Sequence, residues 1–228
     1  MKQAKIEAKL IDHCGSDLSV VNAARVSFAK ESLDMAEKDE KLIKYLAEHR
    51  HKSPFNHAFM SFRVKAPIFV ARQLVKHEYL PWNEVSRRYV TDMPEFYFPE
   101  HWRKAADNVK QGSSEETVKV VFAETNSFSG LTYYDDIPVN AGWVAFEAYQ
   151  RLLDLGVCPE QARMVLPQNM MTEWIWSGTL YAFAKMCVLR LDSHTQKETR
   201  EVAEMISEQA APLFPVSWKY LVKDKHAI

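Results

Sequence analysis

The fold is decided by the stretch FMSFRVKAPIFVARQ, residues 59–73. From Phe59 to Val64 apolar and polar residues alternate, which is the period of a strand with one buried face. Pro67 follows, and Pro favours the first position of a helix because its fixed φ suits the helix and its missing N–H needs no partner there. The stretch therefore predicts a strand over 59–64 that leads into a helix over about 67–78.

The same kinds of pattern predict the elements on either side. Asp17 is expected to cap a helix that runs toward Phe28. Thr195 followed by Glu198 has the spacing of a capping box, so a long helix is expected from 195. Helices and strands mix without a regular alternation, so the sequence predicts the α+β class. The remaining expectations are strands over 4–12 and 169–177, helices over 39–49, 142–155 and from 180, and a short helix near 115–123.

Composition describes an ordinary globular chain of 228 residues, 47% hydrophobic and 26% charged. That balance excludes general disorder, and the length favours one domain over 1–228 with a polar surface excursion at about 104–137. The net charge of −1 gives no reason to expect a nucleic acid or an anionic membrane as partner. Charges in MKQAKIEAKL stand where a signal peptide would be apolar, and no apolar run could span a bilayer. We expect a cytoplasmic protein.

Cysteine and glycine usage limits the kinds of disulfide, metal and phosphate-binding site that the chain can form. The three cysteines are far apart and never form C-x-x-C, which argues against a disulfide scaffold or a thiolate metal cluster and favours buried thiols. The six glycines form neither a P-loop nor G-x-G-x-x-G. If the protein binds phosphorylated molecules, their phosphates must be held by Arg and Lys side chains and helix N-termini.

The densest polar cluster follows the decisive stretch. On a helix, Gln73, Lys76 and His77 lie on one face and can reach the same ligand. Pro81 ends that helix, and in the extended segment expected after it Glu84, Ser86 and Arg88 share one side. Two such rows would make an anion pocket. The alternative interpretation is an exposed helix face beside a polar edge strand.

Two arginines and several histidines are further candidates. Arg163 and Arg190 are flanked by apolar residues, and a buried arginine needs an anionic partner. That partner is either a ligand phosphate or an internal carboxylate such as Glu160 or Asp192. The histidines lack metal-ligand spacing such as H-E-x-x-H, so no metal site is expected.

Taken together, these segments resemble the flavin-dependent thymidylate synthases. The hallmark of that family is R-H-R, seven residues and then Ser, and Lys76-His77-Glu78 followed by Ser86 occupies this frame. The surrounding segments match more closely than the hallmark and come in the family's order. They are AARVSF at 23–28, SPFNH at 53–57, KAPIFVARQ at 65–73, SRRY at 86–89, ARMVLP at 162–167 and LRLDSHTQ at 189–196.

The resemblance implies an enzyme and its assembly. It implies a central, largely antiparallel sheet flanked by helices. The implied reaction is the reductive methylation of dUMP to dTMP, with methylenetetrahydrofolate as one-carbon donor and FAD reduced by NADPH as hydride source. The implied assembly is a homotetramer whose active sites are built from several subunits.

The resemblance also implies site residues. Arg190 would be catalytic, stabilising the anionic uracil from its N3 and O4 edge. Residues implied for dUMP are Gln73, Lys76, Glu84, Ser86, Arg87, Arg88, Arg163 and Arg190. Residues implied for FAD are Ser53, Lys76, His77, Glu78, Glu84 and His194, and His51 is implied on the folate and NADPH side.

Several positions depart from the family pattern. Lys76 keeps the charge of the first hallmark arginine but loses its fork, and Glu78 reverses the charge of the other. Glu78 is expected either to turn away from the flavin diphosphate or to accept from a hydroxyl of the flavin or its ribose. Thr179, Tyr181 and Lys185 also differ from the residues usual beside the flavin adenine. Two alternatives stay open: an enzyme of the same fold that makes another C5-modified pyrimidine nucleotide, and a nucleotide-binding module without catalysis.

Overall fold

The computed structural model describes residues 2–107, 112–118 and 137–223, with the backbone alone at 137–140 and 223. Its strands are β1 (Lys2–Gln3), β2 (Glu7–Cys14), β3 (Phe59–Pro67), β4 (Trp82–Glu84), β5 (Glu95–Phe96), β6 (Trp102–Arg103), β7 (Thr117–Val118) and β8 (Met171–Thr179). Its α-helices are α1 (Asp17–Arg25), α2 (Glu37–Glu48), α3 (Ile68–Leu74), α4 (Ile137–Asp154), α5 (Pro159–Ala162), α6 (Leu180–Arg190), α7 (Lys197–Ala210) and α8 (Pro215–Trp218). Short 3₁₀ turns cover Val26–Phe28, Ser53–His57 and Arg163–Val165, and a π turn covers Lys219–Lys223.

The central sheet has the strand order β2-β3-β8-β4, and all its pairs are antiparallel. In β3 every second residue is buried, and Phe62 pairs with Trp176 of β8 on the same buried face. The ring of Phe183 from α6 contacts both, with centroids 5.1 Å from Phe62 and 5.5 Å from Trp176. The opposite face is polar and includes the Ser61–Ser177 hydrogen bond of 2.9 Å. The α+β class and the antiparallel sheet are confirmed.

The helix after the decisive stretch is shorter than predicted. It ends at Leu74, not near 78, and the chain turns so that the His77 N–H donates to the carbonyl of Leu74 at 3.1 Å. Tyr79 then takes a left-handed φ of 60°, which no α-helix residue can have. Lys76 and His77 therefore lie in a turn beyond the helix end.

The extended segment after Pro81 is also shorter than predicted. Strand β4 pairs with β8 only as far as Glu84, and Val85 N–H makes one further bond to the Glu173 carbonyl at 2.9 Å. A turn follows, closed by Tyr89 N–H donating to Ser86 O at 3.0 Å. Glu84 and Ser86 are thus not successive members of one strand face.

Three capping and burial expectations are wrong. Ser16, not Asp17, precedes α1, and the Asp17 carboxylate accepts instead from the first N–H groups of α8, Val216 at 2.8 Å and Ser217 at 2.9 Å. Helix α7 starts after Gln196, so the predicted capping box does not form. Cys187 is buried, but Cys14 and Cys158 are exposed. Of the short helix expected near 115–123, residues 115–116 are not helical, 117–118 form β7, and 119–123 lie outside the described residues.

Candidate functional site

Helix α3 separates two polar clefts. Ile68 and Arg72, one turn apart, line the first cleft, of about 760 Å³. Gln73 and Lys76 line the second, of about 480 Å³. Because consecutive helical residues point about 100° apart, Arg72 and Gln73 face different clefts.

The second cleft lies between the end of α3 and the end of α6. It contains four of the residues predicted from the sequence, among them the cations Lys76 and Arg190. Polar groups dominate its lining, which suits a charged, hydrogen-bonding ligand. The full lining is Gln73, Lys76, Gly112, Leu189, Arg190, Asp192, His194, Thr195 and Gln196.

Arg190 is held at the end of α6 by two acceptors, one in the last turn of α3 and one in the turn that follows it. Its Nε donates to Nε2 of His77 at 3.0 Å, and its Nη2 donates to the carbonyl of Gln73 at 3.0 Å. That carbonyl belongs to the last turn of α3, where carbonyls lack intrahelical partners and a cation is favoured by the helix dipole. Neither acceptor is a carboxylate, so an ion pair does not explain these two bonds.

The same pair fixes the protonation of His77. Burial first, and then the charges of Arg190 and Lys185, lower the pKa of the His77 imidazole to about 4. Burial also lowers the pKa of Arg190, but a guanidinium stays protonated at any working pH. Arg190 is therefore the donor and neutral His77 the acceptor.

Two glutamines and a histidine complete the second cleft. Nε2 of Gln73 donates to Oε1 of Gln196 at 2.5 Å, which ties the end of α3 to the start of α7. His194 is exposed, and its Nδ1 lies 2.9 Å from Oδ1 of Asp192. These contacts fix the side chains that line the cleft around Arg190.

The first cleft contains another three of the predicted residues, Glu84, Arg87 and Arg163. Glu84 is fixed at the end of β4, where Oε1 accepts from Thr172 Oγ1 at 2.7 Å and Oε2 from Trp82 Nε1 at 2.9 Å. Arg163 is exposed, and its Nε donates to the carbonyl of Glu160 at 3.3 Å. Because its side chain is exposed, Arg163 needs no anionic partner to compensate for burial.

The two arginines expected to meet on one nucleotide line different clefts of one chain. Arg163 faces the first cleft and Arg190 the second, and α3 lies between them. Within a single chain, the predicted set is therefore not brought together. Ser86 and Arg88 are in neither lining; Ser86 Oγ accepts from the backbone N and the Nε of Arg88, both at 3.3 Å.

The residues predicted for the flavin are distributed in the same way. Lys76 and His194 line the second cleft, Glu84 lines the first, and Ser53 is the exposed first residue of a 3₁₀ turn. His51 is exposed, with its ring 5.8 Å from that of Tyr45. Glu78 is exposed as well, and its carboxylate is paired with Lys185 at 3.6 Å.

Sequence reasoning missed three residues that the structure adds. Arg72 lines the first cleft, Gln196 bonds Gln73, and Lys185 pairs with Glu78. One signal for the last pair was available, because Glu78 and Lys185 both depart from the family pattern and have opposite charges. No group of three His, Cys, Asp or Glu in 2–107, 112–118 and 137–223 is arranged to hold a metal ion. In the same ranges, no helix is both long and apolar enough to cross a membrane.

Comparisons with known proteins agree with this architecture. A family model described as thymidylate synthase complementing protein matches residues 9–216. A flavin-dependent thymidylate synthase of Thermosipho melanesiensis is 38% identical over 200 residues, 88% of this chain and 83% of its own. One of Kosmotoga olearia is 38% identical over 213 residues, 92% of this chain and 87% of its own.

Solved structures agree as well. The UMP/dUMP methylase PolB from Streptomyces cacaoi, bound with 5-Br dUMP, has a TM-score of 0.82 and 31% identity over all of both chains. The same methylase bound with 5-Br UMP has a TM-score of 0.75 and 31% identity, over 99% of this chain and 97% of that one. On the family match and these identities, the chain belongs to the flavin-dependent thymidylate synthase family.

Proposed function

We propose that this protein converts dUMP to dTMP by reductive methylation, with methylenetetrahydrofolate as one-carbon donor and FAD reduced by NADPH as hydride source. The observation that supports this most directly is the fixed guanidinium of Arg190 in a polar cleft that also contains Lys76. Relatives named flavin-dependent thymidylate synthase, 38% identical over most of the chain, support thymidylate synthesis with a flavin.

In this proposal Arg190 is the catalytic residue. A guanidinium cannot act as a base, but fixed positive charge at the N3 and O4 edge of uracil would stabilise the anionic ring and raise the nucleophilicity of C5. Because His77 and Gln73 already hold Arg190 in place, little reorganisation is needed when the charge develops. Removing one such donor typically lowers kcat about 10²–10³-fold.

The nucleotide phosphate would be held by cationic side chains. Arg163, Arg87 and Arg88 supply forked donors that match phosphate oxygens, with Ser86 as a hydroxyl donor. Gln73, Lys76 and Glu84 complete the proposed dUMP set. Arg163 and Arg190 line different clefts of one chain, so one dUMP site would take Arg190 from one subunit and Arg163 from another, as in a homotetramer with shared sites.

The chain also offers groups that fit FAD. Its exposed Ser53, its neutral His77 and the cations Lys76 and Lys185 suit a flavin with its diphosphate, and Glu78 is compensated by Lys185. Glu84 and His194 belong to the proposed set, with His51 on the folate and NADPH side. Bound FAD, reduced by NADPH, would supply the hydride. The protein's part is to orient dUMP and the folate and to keep His77 neutral.

UMP is a second candidate substrate, suggested by the solved neighbour. The methylase of Streptomyces cacaoi is described as acting on UMP as well as dUMP and was crystallised with brominated forms of both. UMP would give a different C5-methylated nucleotide by the same chemistry. We rank dUMP first because the curated relatives are named for thymidylate synthesis.

The proposal is tested with purified protein reconstituted with FAD. It should absorb in the flavin bands and, given methylenetetrahydrofolate and NADPH, add 14 mass units, about one CH₂, to dUMP, with Arg190→Ala reducing the rate about 10²–10³-fold. A parallel reaction with UMP measures the second substrate. Protein that binds dUMP but stays colourless after incubation with FAD would support the non-catalytic module and contradict the proposal.

A further inference from the structure

His77 and Arg190 come from elements that are far apart in sequence. Residue 77 lies in the turn after α3, and residue 190 ends α6, yet their nitrogens are 3.0 Å apart. The second bond of Arg190 is to the carbonyl of Gln73, in the last turn of α3, at 3.0 Å. One short segment, 73–77, therefore binds two of the three nitrogens of the guanidinium.

The chemistry of the contact allows one arrangement of protons. All guanidinium nitrogens are donors, so Nε2 of His77 must present its lone pair and the imidazole proton must be on Nδ1. If the imidazole were protonated, its Nε2–H would face the Nε–H of Arg190, and two positive charges would repel each other. The charges that act on this ring are Arg190 and Lys185 of the same helix, and Lys185 is paired with Glu78, the next residue in the turn.

We propose that His77 is a positioning residue for Arg190: its neutral imidazole accepts from Nε and, together with the Gln73 carbonyl, sets the direction in which the guanidinium meets the ligand. This inference rests on the proposed function, since Arg190 is taken to meet the uracil ring. It differs from the family-implied role of the histidine as a flavin contact. If the imidazole served the flavin alone, its effects would not depend on Arg190.

Two amide substitutions separate the roles. In His77→Gln the side-chain oxygen can reach the position of Nε2, whereas in His77→Asn the amide reaches only the position of Nδ1. Both variants remove the ring and any flavin contact made by it. We expect His77→Asn to weaken dUMP binding and kcat/KM roughly 10- to 100-fold, as a displaced catalytic group does. His77→Gln should recover most of that loss, with FAD content equal in the two variants.

A double-mutant cycle shows whether His77 acts through Arg190. The difference in dUMP affinity between His77→Gln and His77→Asn, measured by calorimetry, should fall to less than twofold in an Arg190→Lys background, where no Nε donor is present. An undiminished difference would overturn the inference, and so would equal loss in both amide variants together with loss of FAD.

A third measurement needs neither activity nor variants. In protein labelled with ¹⁵N-histidine and without ligands, the resonances of His77 between pH 6 and pH 8 should report a protonated Nδ1 and an unprotonated Nε2. The opposite tautomer would contradict the proposal. If the wild-type protein binds FAD but does not methylate dUMP, the proposed function is wrong. The tautomer of His77 tests the contact with Arg190 independently of that result.

Discussion

The ammonium of Lys185 lies 3.6 Å from the carboxylate of Glu78, between the middle of α6 and the turn after α3. Both side chains are more than half exposed, so the pair contributes little to the stability of the fold. Its effect is on local charge: the carboxylate that replaces a hallmark arginine is neutralised by a lysine that is itself unusual at its position. A cation is thus supplied by residue 185, not by residue 78.

Lys185→Ala should weaken FAD binding. Removing the ammonium leaves the Glu78 carboxylate uncompensated near the proposed diphosphate, and exposed charge pairs are worth up to about 1 kcal/mol, roughly a two- to fivefold change in affinity. Flavin fluorescence titration measures this change. Lys41→Ala is the matched control. It removes another exposed ion pair, between Lys41 and Glu37 of α2 at 2.7 Å, and should leave FAD affinity unchanged. Equal effects of the two substitutions would contradict the assignment.

Glu78→Arg should leave FAD binding unchanged or improve it. The substitution restores the hallmark residue and replaces a negative charge by a positive one beside the proposed diphosphate. The same titration, run at low and at high salt, should show a larger gain at low salt because exposed charges are screened. Loss of flavin from this variant would mean that the Glu78 carboxylate makes a required contact.

The stability of the protein should depend on His77 between about pH 4 and pH 6.5. The folded-state pKa of about 4 is below the usual value of 6.5, so in this window the unfolded chain binds more protons and stability falls as the pH drops. After screening, the loss is at most about 1–2 kcal/mol. His77→Gln cannot titrate and should flatten this part of the profile, measured by urea unfolding. Identical profiles would contradict a neutral imidazole.

Gly178→Ala should disturb the turn that contains His77. A Cβ at residue 178 would be 2.9 Å from the carbonyl oxygen of Tyr79 and in collision with the Leu80 side chain. A backbone oxygen cannot give way without moving the turn, so we expect a loss of about 1–3 kcal/mol in stability and a lower kcat/KM. Thermal unfolding and steady-state kinetics measure the two effects. A variant with unchanged melting temperature and activity would show that the turn does not depend on Gly178.

The sequence predicts the β3–α3 junction because two local signals agree there. The alternation over 59–64 and the position of Pro67 both have a short-range cause, and the structure has a strand at Phe59–Pro67 and a helix from Ile68. The end of that helix was misplaced by four residues. The turn that follows the helix is packed against Gly178, which is 99 residues from Tyr79, so no local pattern marks this part of the chain.

For the candidate site as well, the sequence predicts the residue types but not their spatial arrangement. The residue types at Gln73, Lys76, Arg163 and Arg190 could be chosen from composition and from the family resemblance. Their distribution over two clefts depends on how α3 packs on α7, β3 and β8, which spacing in the sequence does not encode. The role of His77 as acceptor for Arg190 likewise needed the distance between residues 113 positions apart.

In the proposed enzyme, one dUMP is bound by Arg190 of one subunit and Arg163 of another. Co-expression of Arg190→Ala and Arg163→Ala chains, followed by measurement of dTMP formation by the purified mixed oligomers, tests this sharing. Each variant alone should be nearly inactive, and random mixing should restore about a quarter of the wild-type rate, because that share of shared sites contains both arginines. Mixed oligomers with no more activity than either variant alone would contradict the claim.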